Sequence, residues 1–201
     1  MAEVQLPIFL YSWAWLFWGA YIWAFYISEA GVIRRTKDTR GSGPELAQDS
    51  LAGLMLFTLL AKVSAISCAW FNIAILPRDA VLTAFLMGVG MMLLGSLLRR
   101  HCFKMLGESF TVEVRASADQ PLVTDGAYRF LRHPGYFAGV IMLLGFGLAT
   151  GSWLAALIML ASGLLVYVRR INSEEAALLD ALGERYRVYC APRKKLIPFL
   201  Y

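Results

Sequence analysis

The chain has 201 residues, 59% of them hydrophobic and 16% charged, with a formal net charge of +5 at pH 7 and a mean hydropathy of +0.59. An average soluble domain is roughly 45–50% apolar and about 25% charged, so this is the composition of an integral membrane protein, and it excludes disordered, collagen-like and disulfide-framework classes. The three cysteines, Cys68, Cys102 and Cys190, are odd in number and far apart; they suit neither a C-x-x-C metal or redox pair nor an obligatory disulfide, and they read as structural.

A helix needs about 20 apolar residues to cross a hydrocarbon core about 30 Å thick. Residues 7–28 form the first such stretch, where Trp13, Trp15, Trp18, Tyr21, Trp23 and Tyr26 give the aromatic density of lipid-facing and interfacial surface. It lacks a basic leader and a small-residue cleavage site, which favours a span over a signal peptide. The second stretch covers 51–76 and the third 80–98, and Pro77-Arg78-Asp79 between them predicts a turn and an antiparallel hairpin. Lys62 interrupts the second; an intramembrane charge costs about 2.5–3.5 kcal/mol on insertion scales, so a polar partner or cavity is expected there. The apolar region 136–168 is too long for one ordinary crossing. Thr150-Gly151-Ser152 has the small polar character of a tight turn, dividing it into helices at 136–149 and from 153. Five spans result.

The nineteen Lys and Arg orient them. Arg34, Arg35, Lys37 and Arg40 lie between spans one and two, Arg99, Arg100, Lys104, Arg115, Arg129 and Arg132 between three and four, and seven more follow span five; Arg78 alone falls in an opposite-side loop. The positive-inside rule then predicts an outside N-terminus and a cytoplasmic C-terminus. The basic balance is topological, which removes the support for nucleic-acid binding. Both long polar segments, the connection after residue 98 and the tail after 168, fall on the cytoplasmic side, where any site for a water-soluble ligand is expected.

Chemistry-bearing residues gather at two places on that side. Tyr128, Arg132, His133 and Tyr136 stand where span four begins, with Pro134 suited to its first turn and its N-terminal amides able to hold an anion. Arg169, Arg170, Glu174 and Glu175 follow span five. Arg170 and Glu174, four apart, share a helix face, and the turn at Gly151 returns that face to the membrane side from which span four departed.

The run L-V-T-x-G-x-Y-x-x-x-R-H-P-x-Y-x-x-G (Leu122 to Gly139), then R-x-x-x-E-E-x-x-L (Arg170 to Leu178), G-E-x-Y-x-x-Y (Gly183 to Tyr189) and L-I-P (Leu196 to Pro198), resembles the isoprenylcysteine carboxyl methyltransferase family, including its prokaryotic members and the related phospholipid methyltransferases. Leu106, Gly107 and Phe110 also match, and the resemblance covers residues 105–200. It implies an all-α polytopic membrane protein of about five transmembrane helices with a cytoplasmic cofactor-binding cap, in a prokaryotic cell membrane. Residues 1–98 would hold helices one to three and residues 99–201 the methyltransferase core. No G-x-G-x-x-G follows a strand, in keeping with a fold without a Rossmann domain.

The implied activity is S-adenosylmethionine-dependent methyl transfer, leaving S-adenosylhomocysteine, to a lipophilic small-molecule or prenylated acceptor beside membrane lipid, with no nucleic acid and no metal. Carried over by position, the cofactor-side residues are Gln120, Pro121, Leu122, Val123, Tyr128, His133, Pro134, Gly135, Tyr136 and Glu174, and the substrate-side arginine is Arg170. Relatives often carry a histidine and a hydrogen-bonding residue where this chain has Gln120-Pro121, and Pro121 offers no N–H. Within that frame, His133 or Arg132 with the span-four amides would bind the methionine carboxylate, and Glu174 the ammonium or ribose hydroxyls. Apolar groups of 120–123 and of 196–199 would bury the adenine. Arg170 would aim an anionic nucleophile; a carboxylate, with pKa about 4, needs no general base. Methylation of a phospholipid amine is the competing activity, and it requires a base, for which Glu175 is best placed. A non-catalytic membrane scaffold is the reading from a different class.

Overall fold

The computed structural model describes residues 13–27, 30, 48–107, 122–198 and 200–201, and all its regular elements are helical. Helix α1 (Ala14–Ile22) runs on into a π-helical turn at Trp23–Ile27. Then come α2 (Gln48–Trp70), α3 (Arg78–Leu106), a 3₁₀ turn at Gly126–Arg129, α4 (Pro134–Ala149), α5 (Trp153–Leu182) and α6 (Glu184–Cys190). Among the described residues α3 and α5 are long and apolar enough to cross a membrane, while Ala14–Ile27, Met55–Trp70 and Pro134–Ala149 are shorter apolar helices.

Two element boundaries differ from those expected of the sequence. The second apolar stretch leaves the helix at Trp70, because Asn72 and Ala74 take positive φ of 54° and the chain turns to bond with the α4–α5 connection. The Leu76 amide donates to Gly151 O (2.9 Å), the Trp153 amide to Ala74 O (3.0 Å), and Ser152 Oγ to Ile73 O (2.9 Å). The α2–α3 and α4–α5 hairpins are thus tied at one end of the bundle. The expected turn at Pro77-Arg78-Asp79 is instead the start of α3, with Pro77 as N-cap and Asp79 in the first turn, where an acidic side chain complements the helix dipole. The turn at Thr150-Gly151-Ser152 is as expected: Gly151 has φ of 79°, and Ser152 Oγ accepts from the Ala155 amide to cap α5 (3.2 Å).

In lipid, helices gain little from burying apolar surface against one another, so close approach of small residues carries the packing. α4 lies between α3 and α5. A Cβ on Gly88 would stand 2.5 Å from Gly145 O and from the Ala149 amide, and one on Gly95 would stand 2.8 Å from Met142 Cγ. On the other flank, a Cβ on Gly147 would meet Ala156 Cα at 2.6 Å. α1 and the π-helical turn after it close the bundle with Phe17, Tyr21 and Phe25 around Phe146.

The polar partner expected for Lys62 is aromatic. Its ammonium lies 4.5 Å from the Phe25 ring centre and 5.4 Å from that of Tyr21, an arrangement worth about 0.5–2 kcal/mol. The division expected at residues 98 and 99 falls inside the continuous helix α3, whose last turns carry buried Cys102 and Phe103 against Gly135.

Candidate functional site

The polar end of the bundle is built where α4 begins, α5 leaves its apolar part, and the C-terminal segment returns. Pro134 at the first position of α4 has no N–H to leave unpaired, and the segment before it is held in place from the C-terminus. Leu131 bridges Lys194 in parallel, the Arg132 amide donates to Lys194 O (2.9 Å), and the His133 amide donates to Lys195 O (3.1 Å). Arg193 adds two bonds, from Nε to Tyr128 O (3.0 Å) and from Nη1 to Tyr189 O (2.7 Å). Between α3 and α4, Arg99 Nη1 donates to Gly135 O (2.9 Å).

Two carboxylates of α5 then face two different sets of partners. Glu175, 7% exposed, accepts from Arg132 Nη1 (2.8 Å) on Oε1, His133 Nε2 lies 3.2 Å from the same oxygen, and Lys195 Nζ lies 3.2 Å from Oε2. Glu174 accepts from the Tyr136 hydroxyl (2.6 Å), which in turn accepts from Arg170 Nε (2.7 Å). The expected kinship of Arg170 and Glu174 on one face is therefore bridged by Tyr136. His133 stacks on Tyr136 (centroids 5.5 Å apart, planes 11°) and Tyr136 on Tyr167 (5.2 Å). His133 Nδ1 faces Glu174 Oε2 at 4.0 Å, too long for a direct hydrogen bond.

Three buried phenols beside the site, Tyr128, Tyr186 and Tyr189, are held in their protonated form. Burial pushes the Tyr128 hydroxyl well above its ordinary value, with Cys102 and Glu174 adding to it. Burial likewise raises Tyr186, helped by the charge of Glu175, and lifts Tyr189 to about 12 against the opposing charge of Arg193.

The structure thus gathers Arg132, His133, Tyr136, Arg170, Glu174 and Glu175 into one connected cluster, with Pro134 and Gly135 buried beneath it and Tyr128 buried alongside. Leu122 and Val123 are half-buried in the segment leading to it, and Gln120 and Pro121 lie outside the described residues. Three of the expected ligand groups have contacts within the chain. The Tyr136 and Phe137 amides are taken by His133 O (3.1 and 3.2 Å), so the first turn of α4 offers an anion fewer donors than a bare helix start. Arg132 donates from Nη1 to Glu175 (2.8 Å) and from Nε to Arg193 O (3.2 Å), so part of its guanidinium is already engaged within the chain. Leu196, fully buried, packs with Tyr136, Val140 and Ile171, so it supports the site from behind; Phe199 of the same tail lies outside the described residues. Lys195, Arg193, Tyr167 and Arg99 were not legible as site residues. The basic run preceding Leu196 was the one available signal, and it also reads as positive-inside topology.

Residues 88–180 match the isoprenylcysteine carboxyl methyltransferase (ICMT) family. Relatives include the protein-S-isoprenylcysteine O-methyltransferase of Schizosaccharomyces pombe, 34% identical over 54% of this chain and 45% of its own length. Another is protein-S-isoprenylcysteine O-methyltransferase B of Arabidopsis thaliana, 29% identical over 56% of this chain and 58% of that one. The chain spans about half the length of these curated relatives. In three dimensions it resembles the eukaryotic intramembrane Ras methyltransferase ICMT, with a TM-score of 0.67 and 21% identity over 92% of this chain and 67% of the other.

Proposed function

We propose that this chain, whose residues 88–180 match the isoprenylcysteine carboxyl methyltransferase family, is an integral membrane methyltransferase that uses S-adenosylmethionine to esterify the carboxylate of a prenylcysteine-like, lipophilic acceptor at the cytoplasmic interface. The observation that carries this reading is the chain Arg170–Tyr136–Glu174. One phenol joins a guanidinium, suited to an anionic nucleophile, to a carboxylate and an imidazole, suited to the amino-acid end of the cofactor.

The donor set fits that cofactor. Glu174 and the open nitrogen of His133 offer acceptors to an ammonium, while Tyr128, Leu122 and Val123 supply buried and half-buried surface for its apolar parts. When bound, the cofactor supplies an electrophilic methyl group on a sulfonium. The residues of this chain then have to bind, align and exclude water, a positioning effect worth up to about 7–11 kcal/mol. Arg170 aims and neutralises the acceptor carboxylate, and Tyr136 sets the guanidinium at a fixed distance from Glu174. No proton has to be removed.

The alternative, an amine acceptor, needs a base. Glu175 is a poor one here, because accepting a proton would cost it the pairing with Arg132 and Lys195. It serves better as a positioning residue.

Five crossings with the N-terminus outside remain the arrangement best supported by the charge distribution. α4, with 16 residues, is about 24 Å long at 1.5 Å per residue, short of a core about 30 Å thick. His133 at its start is thereby drawn into the membrane face, within reach of an acceptor that never leaves the lipid. The named relatives are a yeast and a plant protein, so the prokaryotic membrane expected from the motifs has no support from them.

The test is transfer of labelled methyl from S-adenosylmethionine in membranes carrying the protein. Label should enter an S-prenylated cysteine with a free carboxylate and be released by mild base as methanol. Label stable to base and recovered in phospholipid headgroups would overturn the reading.

A further inference from the structure

Glu175 makes contacts that the methyl-transfer reading does not use. Its carboxylate collects donors from three elements: Arg132 from the segment before α4, His133 at the α4 N-cap, and Lys195 from the C-terminal return. Arginine is always charged, and a carboxylate flanked by two cations at 2.8 and 3.2 Å is ionised and can only accept. The ring nitrogen of His133 that faces it must therefore be the one that carries a proton. The main chain of the histidine is fixed by its amide hydrogen bond to Lys195 O and the plane of its ring by stacking on Tyr136, so the ring cannot swing out of the site without losing both the stack and the contact with Glu175.

We propose that Glu175 is a positioning residue that holds the proton of His133 on Nε2. Nδ1 is thereby left as a lone pair that, together with Glu174 Oε2 4.0 Å away, forms an acceptor pair for the α-ammonium of the cofactor. The second half rests on the cofactor reading above. It reverses the role expected of His133 from sequence, since a lone pair repels a carboxylate and attracts an N–H. A carboxylate behind a catalytic imidazole fixes tautomer and orientation in the same way in serine hydrolases, where replacing it by an amide costs about 10⁴ in turnover. Lys195 and Arg132 then have a definite function. They keep Glu175 ionised, so that it accepts and never donates, and they couple the C-terminal segment to the proton position of a residue 62 positions earlier in the chain.

The chain has two histidines, and His101→Gln leaves His133 alone. With ¹⁵N-labelled histidine in the full chain, reconstituted in lipid nanodiscs at pH 8, nitrogen NMR should show Nε2 protonated, with a slowly exchanging N–H proton, and Nδ1 unprotonated. Adding S-adenosylhomocysteine should move the Nδ1 resonance to that of a hydrogen-bonded acceptor and leave Nε2–H in place. Glu175→Ala should remove the protected Nε2–H signal and weaken S-adenosylhomocysteine binding at least about tenfold by calorimetry, whereas Glu175→Asp should restore both. A proton on Nδ1 in the native chain would overturn the proposal. So would an Nδ1 resonance that ignores bound S-adenosylhomocysteine, or native affinity in folded Glu175→Ala. The first two measurements use native Glu175 and decide the matter even if the alanine variant does not fold. Failure of S-adenosylhomocysteine to bind the native chain, with the proton found on Nε2, would instead overturn the cofactor reading.

Discussion

Glu174 and Glu175 are neighbours on one helix, yet their side chains meet unlike surroundings, and their substitutions should fail in unlike ways. Glu174 touches one phenol and faces the imidazole, so Glu174→Gln removes a charged acceptor from the ligand side. A loss of about 1.5–3 kcal/mol, roughly one to two decades of S-adenosylhomocysteine affinity, is expected, with little change in melting temperature. Glu175 is buried among Arg132, His133 and Lys195, and removing one member of a buried ion pair costs about 3–5 kcal/mol. Glu175→Gln should therefore lower the melting temperature by several degrees in thermal unfolding. If Glu174→Gln destabilises the protein more than Glu175→Gln, the helical phase assigned to this stretch is wrong. The helical spacing of Arg170 and Glu174 was legible because i and i+4 share a face. The convergence of Lys195 on Glu175 was not, because no local pattern encodes a contact between an internal helix and a segment that returns to it. A lysine run in a membrane protein also carries a topological meaning that masks any other.

At the scale of elements, α3 and α4 meet through Gly88, Gly95 and Gly145, and the same helix supplies its own control. A Cβ on Gly88 would collide with the backbone of α4, while one on Gly90 would meet nothing within 4 Å. Gly88→Leu should abolish accumulation of folded protein, as judged by size-exclusion chromatography in detergent, and Gly90→Leu should be tolerated. Equal tolerance of both would mean that the two helices do not approach as closely as described. Because α3 also carries Arg99 to Gly135 O, this packing sets the height at which α4, and with it His133, begins. Helix existence was readable from apolar runs, and the α4–α5 turn from Thr150-Gly151-Ser152. The early end of α2 was not, since residues 71–76 are as apolar as the helix before them and their turn is specified by bonds to Gly151 and Ser152.

Across the whole molecule, the polar cluster and the interlocked turns occupy opposite ends of the bundle, which fits a protein with one working face. The division of Lys and Arg, with Arg78 alone on the side opposite the long polar segments, predicts that this face is cytoplasmic. A reporter fused after Tyr201 that is active only outside the cytoplasm should be silent, and activity there would reverse the orientation.

The central claim is that a guanidinium on α5 aims an anionic acceptor while the cofactor is held by other groups, and Arg170→Ala tests it most directly when binding and turnover are measured on the same preparation. Arg170 Nε reaches Tyr136, whereas Glu174 and His133 face each other beyond that phenol. S-adenosylhomocysteine affinity by calorimetry should stay within a few-fold of native, and methyl transfer to the prenylcysteine carboxylate should be lost. Loss of S-adenosylhomocysteine binding in Arg170→Ala, or methyl transfer that survives it, would contradict the assignment of Arg170 to the acceptor.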